Sequence, residues 1–373
     1  MSAELGLAVL QDDYAGSRIP VMEHITGISR AAIRHFTGID PLGEPDRLNE
    51  AFRRLAEVFE LDLNWGGGLP GNGSETFDWD DGSAHKRNRA GQEVIQWGIF
   101  STGIQEDGRH FLHIPKPASV DEALAFEPLR CFPKTVEEYE QEFRASYAAM
   151  LASCGDALYP IPHHYTTAFH GALAVFGFEL LCEIGLQEAR FSALMEGFAE
   201  VSLRITTAWA RVPGVKGFIL HDDLTMTSGP IFRPAWYRKH IFPHYPVIFK
   251  PLIQAGIPII FTSDGNCSAF VADIFAAGAS GLNFEYSVDL ERLVRDYPDK
   301  ILIGNLNSAV LARGSREAIR RDVENCIAIG SRARRFVFNV GGQITHDMSI
   351  ENLEYYLSLR RELCRTARSK ALR

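Results

Sequence analysis

Five places in this sequence set acids, imidazoles or amides directly behind a short apolar run, and such groups can hold a cation or move a proton. His221-Asp222-Asp223 follows residues 217–220, Thr262-Ser263-Asp264 follows 258–261, and Glu285 follows 281–284. Asn305 and Asn307 follow 301–303, and Asn339 and His346 close the run at 335–340. A carboxylate beside an imidazole can orient it, keep it protonated or share a metal ion with it. Asp222, Asp264, His346 and His221 are therefore the predicted catalytic residues. A second constellation, His163-His164-Tyr165-Thr166-Thr167-Ala168-Phe169-His170, mixes imidazoles with aromatic rings and suits an aromatic, partly polar ligand. His164, Tyr165 and Phe169 are predicted to line its site together with Glu285. If residues 163 and 164 lie on a strand, one of the two imidazoles must point away from any site. His240 and His244 have the i, i+4 spacing of a zinc pair, but their helix reads as outer scaffold.

The apolar runs behind these residues are strand-sized and rich in β-branched and aromatic side chains, with amphipathic stretches of helix length between them. Residues 315–330 begin at a Ser cap, space Ile319, Val323 and Ile327 four apart and stop at Gly330. Residues 349–363 repeat that logic, and 235–255 is predicted to be a helix broken by Pro243 and Pro246. Hydrophobic strands alternating with helices imply a parallel sheet covered by helices. No Gly-x-Gly-x-x-Gly turn follows the first of these strands and no Gly-x-x-x-x-Gly-Lys phosphate loop occurs, so a dinucleotide fold is not indicated. Polar residues at successive strand ends instead suit a single (β/α)8 TIM barrel, where those ends converge on one mouth. The expected organisation is one barrel domain over residues 1–373, with an N-terminal extension and a long loop insertion at 64–89. In the first half, 145–152 reads as helix, 158–162 as strand, and 185–211 as a long helix broken near Gly185.

Thirty-eight basic against forty-seven acidic residues leave a formal charge of −9, which argues against a nucleic acid or an anionic membrane as partner. The six cysteines are scattered without a Cys-x-x-Cys pair and read as single buried thiols. No apolar run reaches 18 residues and the first residues carry no basic leader, so a cytoplasmic protein is expected. The aromatic helix at 352–363 makes a homodimer an expectation.

Asp222-Asp223-Leu224, Ser228-Gly229-Pro230-Ile231-Phe232-Arg233-Pro234 and Phe261-Thr262-Ser263-Asp264-Gly265-Asn266 resemble the uroporphyrinogen decarboxylase superfamily. So do Phe176-Gly177-Phe178-Glu179, Gly304-Asn305-Leu306-Asn307, Arg313-Gly314-Ser315-Arg316-Glu317 and His346 before Ser349-Ile350-Glu351-Asn352. The resemblance covers residues 155–365 and implies a (β/α)8 barrel. It also implies one of two activities. One branch decarboxylates the acetate arms of a tetrapyrrole without a cofactor; the other moves methyl groups between small methylated compounds, a corrinoid protein and an acceptor, often with zinc. The decarboxylase's Arg-Gln-Ala-Gly-Arg segment has no equivalent here, and Ile19-Pro20-Val21-Met22-Glu23-His24 sets an acid where a polycarboxylate substrate needs cations. Where thiol-activating methyltransferases carry His-x-Cys, this sequence reads Thr262-x-Asp264, with Cys267 three residues on.

The resemblance thus implies the demethylating branch: a methyl group passes from a methoxylated aromatic compound to the corrinoid (cobalamin) of a partner protein. Its implied zinc ligands follow a Glu-x14-Glu-x20-His pattern, met here by Glu127, Glu142 and His163. His221, Asp222, Asp264 and His346 would then stabilise the leaving phenolate. The alternatives are the tetrapyrrole decarboxylase and a non-catalytic barrel that binds a ligand or the corrinoid protein.

Overall fold

The computed structural model describes residues 1–14, 18–70 and 117–371, together with short strands at Lys86–Arg87, Glu93–Val94, Gly103–Ile104 and His110–Leu112. Side chains of the last helix are described through residue 365. Most of the insertion expected at 64–89 lies outside the described residues. Nine strands matter for the site: β1 (Met22–Glu23), β2 (Leu63–Asn64), β3 (Tyr159–Pro160), β4 (His163–His164), β5 (Phe218–His221), β6 (Ile259–Thr262), β7 (Gly281–Asn283), β8 (Ile301–Leu306) and β9 (Arg335–Val340). The helices used below are α1 (Ala168–Phe176), α2 (Glu188–Ala210), α3 (Tyr245–Gln254), α4 (Arg316–Gly330) and α5 (Ile350–Ala371).

The chain divides into two compact units. Unit 1 comprises Met1–Ala90, Ala148–Ile161 and Gly281–Arg373. In it β1, β2 and β3 pair in parallel, Met22 with Leu63 and Leu63 with Tyr159. Strands β7, β8 and β9 also pair in parallel, and a bridge from Val21 to Phe338 joins β9 to the chain just before β1. Unit 2 comprises Gly91–Tyr147 and Pro162–Ser280, and its β4, β5 and β6 are parallel, with His163 opposite Ile219 and Ile259 opposite Phe218. Every residue of β5, β6 and β9 is buried, as continuous apolar strands require when both faces of a parallel sheet are covered.

The helix signals act locally. The Ser315 hydroxyl accepts the Ala318 N–H and opens α4, whose Ile319, Val323 and Ile327 are buried. The Ser349 hydroxyl does the same for α5 through the Asn352 N–H. The prolines divide the stretch predicted at 235–255 into Pro234–His240, a 3-10 turn Phe242–His244 and α3. Pro246 falls in the first turn of α3, where the missing N–H has no partner to lose. The long helix is broken where expected, into Phe178–Gly185 and α2. Among the described residues no single helix is long and apolar enough to cross a membrane.

Candidate active site

Strand β5 delivers His221 at its C-terminal end, and the chain stays extended through the next two residues. Side chains alternate along such a segment. His221 and Asp223 accordingly meet on one side, where His221 Nε2 lies 2.8 Å from Asp223 Oδ1. The second oxygen of Asp223 lies 3.2 Å from Nδ1 of His170, in the first turn of α1. The Asp264 backbone N–H completes the set, donating to Asp223 Oδ1 at 2.9 Å. That N–H is aimed by the turn after β6. Gly265 sits at φ +75°, and a Cβ there would lie 2.5 Å from the Met226 carbonyl carbon, so the turn needs glycine. Thr225 Oγ1 donates to the Asp264 carbonyl at 2.7 Å, and Ser263 Oγ accepts the Leu224 N–H at 3.1 Å. The Tyr165 ring stands edge-on to His221 with centroids 4.5 Å apart.

Asp222 turns the other way and is completely buried. Its Oδ1 accepts the His170 N–H at 2.5 Å; its Oδ2 accepts the Phe169 N–H at 3.1 Å and the Tyr245 hydroxyl at 2.9 Å. The residue before α1, Thr167, makes no side-chain cap, so Asp222 supplies the acceptor oxygens for two N–H groups of that turn, while its burial, against those bonds and Tyr245, pushes its carboxyl up to about 7. The neighbouring carboxylates thus divide the labour: Asp223 gathers the imidazoles and Asp222 fixes the turn that carries one of them.

Burial opposes charge on His221, yet the Asp223 carboxylate, then Asp264 and Asp222, raise it above the ordinary imidazole value. Burial likewise disfavours a charged Asp223, but His221 and then His170 hold it well below the usual carboxylate range. His170 is pushed down to about 4 because its burial outweighs the pull of Asp223. The cluster therefore favours the charged form of His221 beside Asp223 and disfavours it on His170. Among the described residues, the cationic groups that act most strongly on Asp223 are the imidazoles of His221 and His170. Among the described residues these three form the one group of His, Cys, Asp or Glu able to hold a metal ion, with one ligand atom each, all within 4.8 Å of one another.

Several predicted residues take other places. Asp222, expected at an open mouth, is sealed under α1. Asp264 is exposed, and its charge reaches His221 and Tyr165. His164 points away from the cluster and its Nε2 meets Ser202 Oγ of α2 at 3.2 Å, so it serves packing rather than a ligand. Phe169 is buried against Tyr237, Phe232 and Trp236, with centroids 5.2 to 6.3 Å away, because aromatic side chains fill the space beside α1. His346, exposed in the loop after β9, and Glu285, against Gly341 and Gly342, belong to unit 1. The Glu127, Glu142 and His163 set does not come together. Glu127 is exposed ahead of the short helix Pro128–Cys131, and Glu142 pairs with Lys134 at 2.6 Å on an exposed helix face. His163 faces the cluster instead, where its burial, then the charge of His221, pushes it down to about 4. Cys267 is buried in a 3-10 turn. His240 meets Ser192 Oγ at 2.7 Å and is scaffold, as expected.

The residues overlooked in the sequence are Asp223 and His170. The alternation that separates His163 from His164 applies equally to residues 221–223 and would have marked Asp223, not Asp222, as the partner of His221.

A family model for uroporphyrinogen decarboxylase (URO-D) matches residues 178–363. The chain is 30% identical over 129 residues to the uroporphyrinogen decarboxylase of Hydrogenobaculum sp., covering 34% of this chain and 37% of that one. It is 28% identical over 177 residues to that of Thermus thermophilus, covering 48% and 50%. The chain thus spans between about a third and half of the length of these curated relatives. In architecture it is similar to a methyltransferase from Methanosarcina mazei, with a TM-score of 0.62 and 15% identity over 97% of this chain and 99% of that one. The fold is the α/β barrel expected from the strand and helix pattern. Over residues 178–363 the chain is thus similar to the uroporphyrinogen decarboxylase family.

Proposed function

We propose that the protein is a methyltransferase that takes a methyl group from a small methoxylated aromatic compound and passes it to a corrinoid carried by a partner protein. The observation that carries this reading is the arrangement around Asp223: His221 Nε2 at 2.8 Å from one oxygen and His170 Nδ1 at 3.2 Å from the other, beside the Tyr165 ring. Breaking an aryl methyl ether sends the electron pair of the methyl–oxygen bond onto the oxygen, which needs a proton or positive charge at that moment. His221 is suited to give it. Asp223 holds the ring in place and favours its charged form, and Asp222 positions His170 through the α1 turn. Tyr165 offers a face for the aromatic ring. The reduced corrinoid supplies the nucleophile that accepts the methyl group. No step runs through His346 or Glu285, which stand in unit 1.

A second reading, decarboxylation of the tetrapyrrole type, is favoured by the names of the curated relatives. Against it weighs that, among the described residues, the groups acting most strongly on Asp223 include imidazoles and no guanidinium, since each substrate carboxylate buried without a cation is costly to desolvate.

The test supplies purified protein with methoxylated aromatics and a reduced corrinoid protein, following the corrinoid spectrum and the free phenol. Methyl transfer is expected, with His221→Gln slower by about 100-fold at an unchanged fold. Carbon dioxide release from uroporphyrinogen, with no transfer from any methoxylated aromatic, would overturn the proposal and establish the second reading.

A further inference from the structure

We propose that His170, His221 and Asp223 form a divalent-metal site of the zinc type, with three protein ligands and an open fourth position. The site uses the cluster of the proposed reaction but does not depend on that reaction, because binding is read without turnover.

Two imidazole nitrogens and a carboxylate oxygen are the borderline donors that zinc prefers, and three of them leave room for a water or a substrate oxygen. The ligand atoms lie within 4.8 Å of one another, with Asp223 2.8 Å from His221 Nε2 and 3.2 Å from His170 Nδ1. All three are carried by fixed backbone. His221 ends a strand in register with Thr262, Asp223 accepts the Asp264 N–H, and His170 stands in a helical turn whose N–H is bonded to buried Asp222. Such supporting contacts are what hold metal ligands in place.

A second observation points to a ligand. His170 is 3% exposed, and its Nδ1 has no hydrogen-bond partner: the contact with Asp223 has the distance of an ion pair but not the alignment of a hydrogen bond. The hydroxyl of Thr262, the register partner of His221, is also buried without a hydrogen bond. Buried polar atoms of this kind are rare in folded proteins and mark places where an ion or a water belongs. A cation on His170 Nδ1, His221 Nε2 and Asp223 would give the first of these atoms its partner. It would replace the proton that His221 and Asp223 share and leave a positive charge in the same place.

This set shares no residue with the Glu127, Glu142 and His163 pattern, and it contains no sulfur, since Cys267 is not among its ligands. The experiment strips the full-length protein of metal, then measures zinc binding by equilibrium dialysis with elemental analysis, and records the visible spectrum after cobalt(II) loading. One equivalent of zinc is expected, together with a cobalt(II) spectrum of nitrogen and oxygen ligation lacking a thiolate charge-transfer band. His170→Gln should weaken binding at least about 100-fold. Glu142→Gln and Cys267→Ser should leave it unchanged. Absence of binding to the unaltered protein, a thiolate band, or full affinity in a folded His170→Gln variant would each overturn the proposal. Should that variant fail to fold, the cobalt spectrum of the unaltered protein still decides the donor set. Zinc binding without methyl transfer would separate this site from the proposed reaction.

Discussion

Each unit buries a carboxylate, and the two are neutralised by different means. In unit 1, Glu23 is fully buried: its Oε2 accepts the Val340 N–H at 2.8 Å, and its Oε1 accepts the Tyr356 hydroxyl and Arg360 Nη1, the latter at 3.5 Å. Arg360 is itself buried and also donates to the Phe59 carbonyl. A guanidinium cannot lose its proton in a protein, so this network has one charge state for its cation and a donor for each carboxylate oxygen. In unit 2, Asp223 faces imidazoles, its side chain keeps a fifth of its exposure, and one ring nitrogen is left without a hydrogen bond. The first arrangement fixes strands and a helix together. The second holds groups whose charge can change in place, as proton transfer or metal binding requires.

The largest effect should come from cutting the fixed pair. Arg360→Met leaves Glu23 buried without its cation and should cost about 3–5 kcal/mol in urea unfolding. The corresponding cut in unit 2, His221→Gln, should cost only about 1 kcal/mol, because Asp223 keeps the Asp264 N–H and its exposure to water. Equal losses in the two variants would remove the distinction between a structural and a functional carboxylate.

Buried carboxyls and buried imidazoles should also respond to pH with opposite sign. Burial pushes Glu23 up to about 7, against Arg360, Tyr356 and Val340. A carboxyl raised on folding contributes stability that is complete below its unfolded value and is lost as pH rises through the folded one. Glu23 should therefore cost about 3 kcal/mol of stability between pH 4.5 and 7, each pH unit in that window being worth about 1.36 kcal/mol, and Glu23→Gln should make the slope shallower, leaving the part due to Asp222, which burial also pushes up to about 7. Burial, then His163 and His170, pushes His164 down to about 3. An imidazole lowered on folding contributes stability present above its unfolded value of 6.5 and lost as pH falls towards the folded one. His164→Leu should make that acid-side slope shallower, leaving the part due to His163 and His170, both pushed down to about 4, and should leave the Glu23 slope intact. Urea midpoints measured between pH 4 and 8 check both, and a slope unchanged in its own variant would refute the assignment.

Much of this architecture was readable in the residues. The run at 335–340 is β9 residue for residue, the Ser caps at 315 and 349 open α4 and α5, and Pro243 and Gly185 mark breaks that the structure contains. These are local signals: a period, a cap and a missing N–H. The site was less legible because its logic is not local. His221 was identified from its strand end, whereas Asp223 and His170 meet only after β5 and α1 have packed, 53 positions apart in sequence. The choice between Asp222 and Asp223 depended on side-chain alternation in a segment too short to display a period of its own. The Glu-x14-Glu-x20-His spacing failed for a related reason. Spacing along a chain says nothing about distance across helices, and Lys134 already neutralises Glu142.

The same alternation supplies the smallest and most selective test. If Asp222 acts through the α1 turn, its two oxygens matter as acceptors for Phe169, His170 and Tyr245. Asp222→Asn keeps one acceptor oxygen and should cost about 1 kcal/mol, whereas Asp222→Ala removes both and should cost about 2 kcal/mol. Backbone amide exchange should quicken first at Phe169 and His170, while the β5 amides stay protected. Methyl transfer should fall in step with that loosening and be largely restored in the Asn variant, since a positioning residue can be replaced by another acceptor of the same shape. An Asn variant as inactive as the Ala variant, with α1 still protected, would mean that Asp222 itself exchanges a proton in the reaction. The two neighbouring aspartates would then trade roles, with Asp222 the reacting group and Asp223 its support.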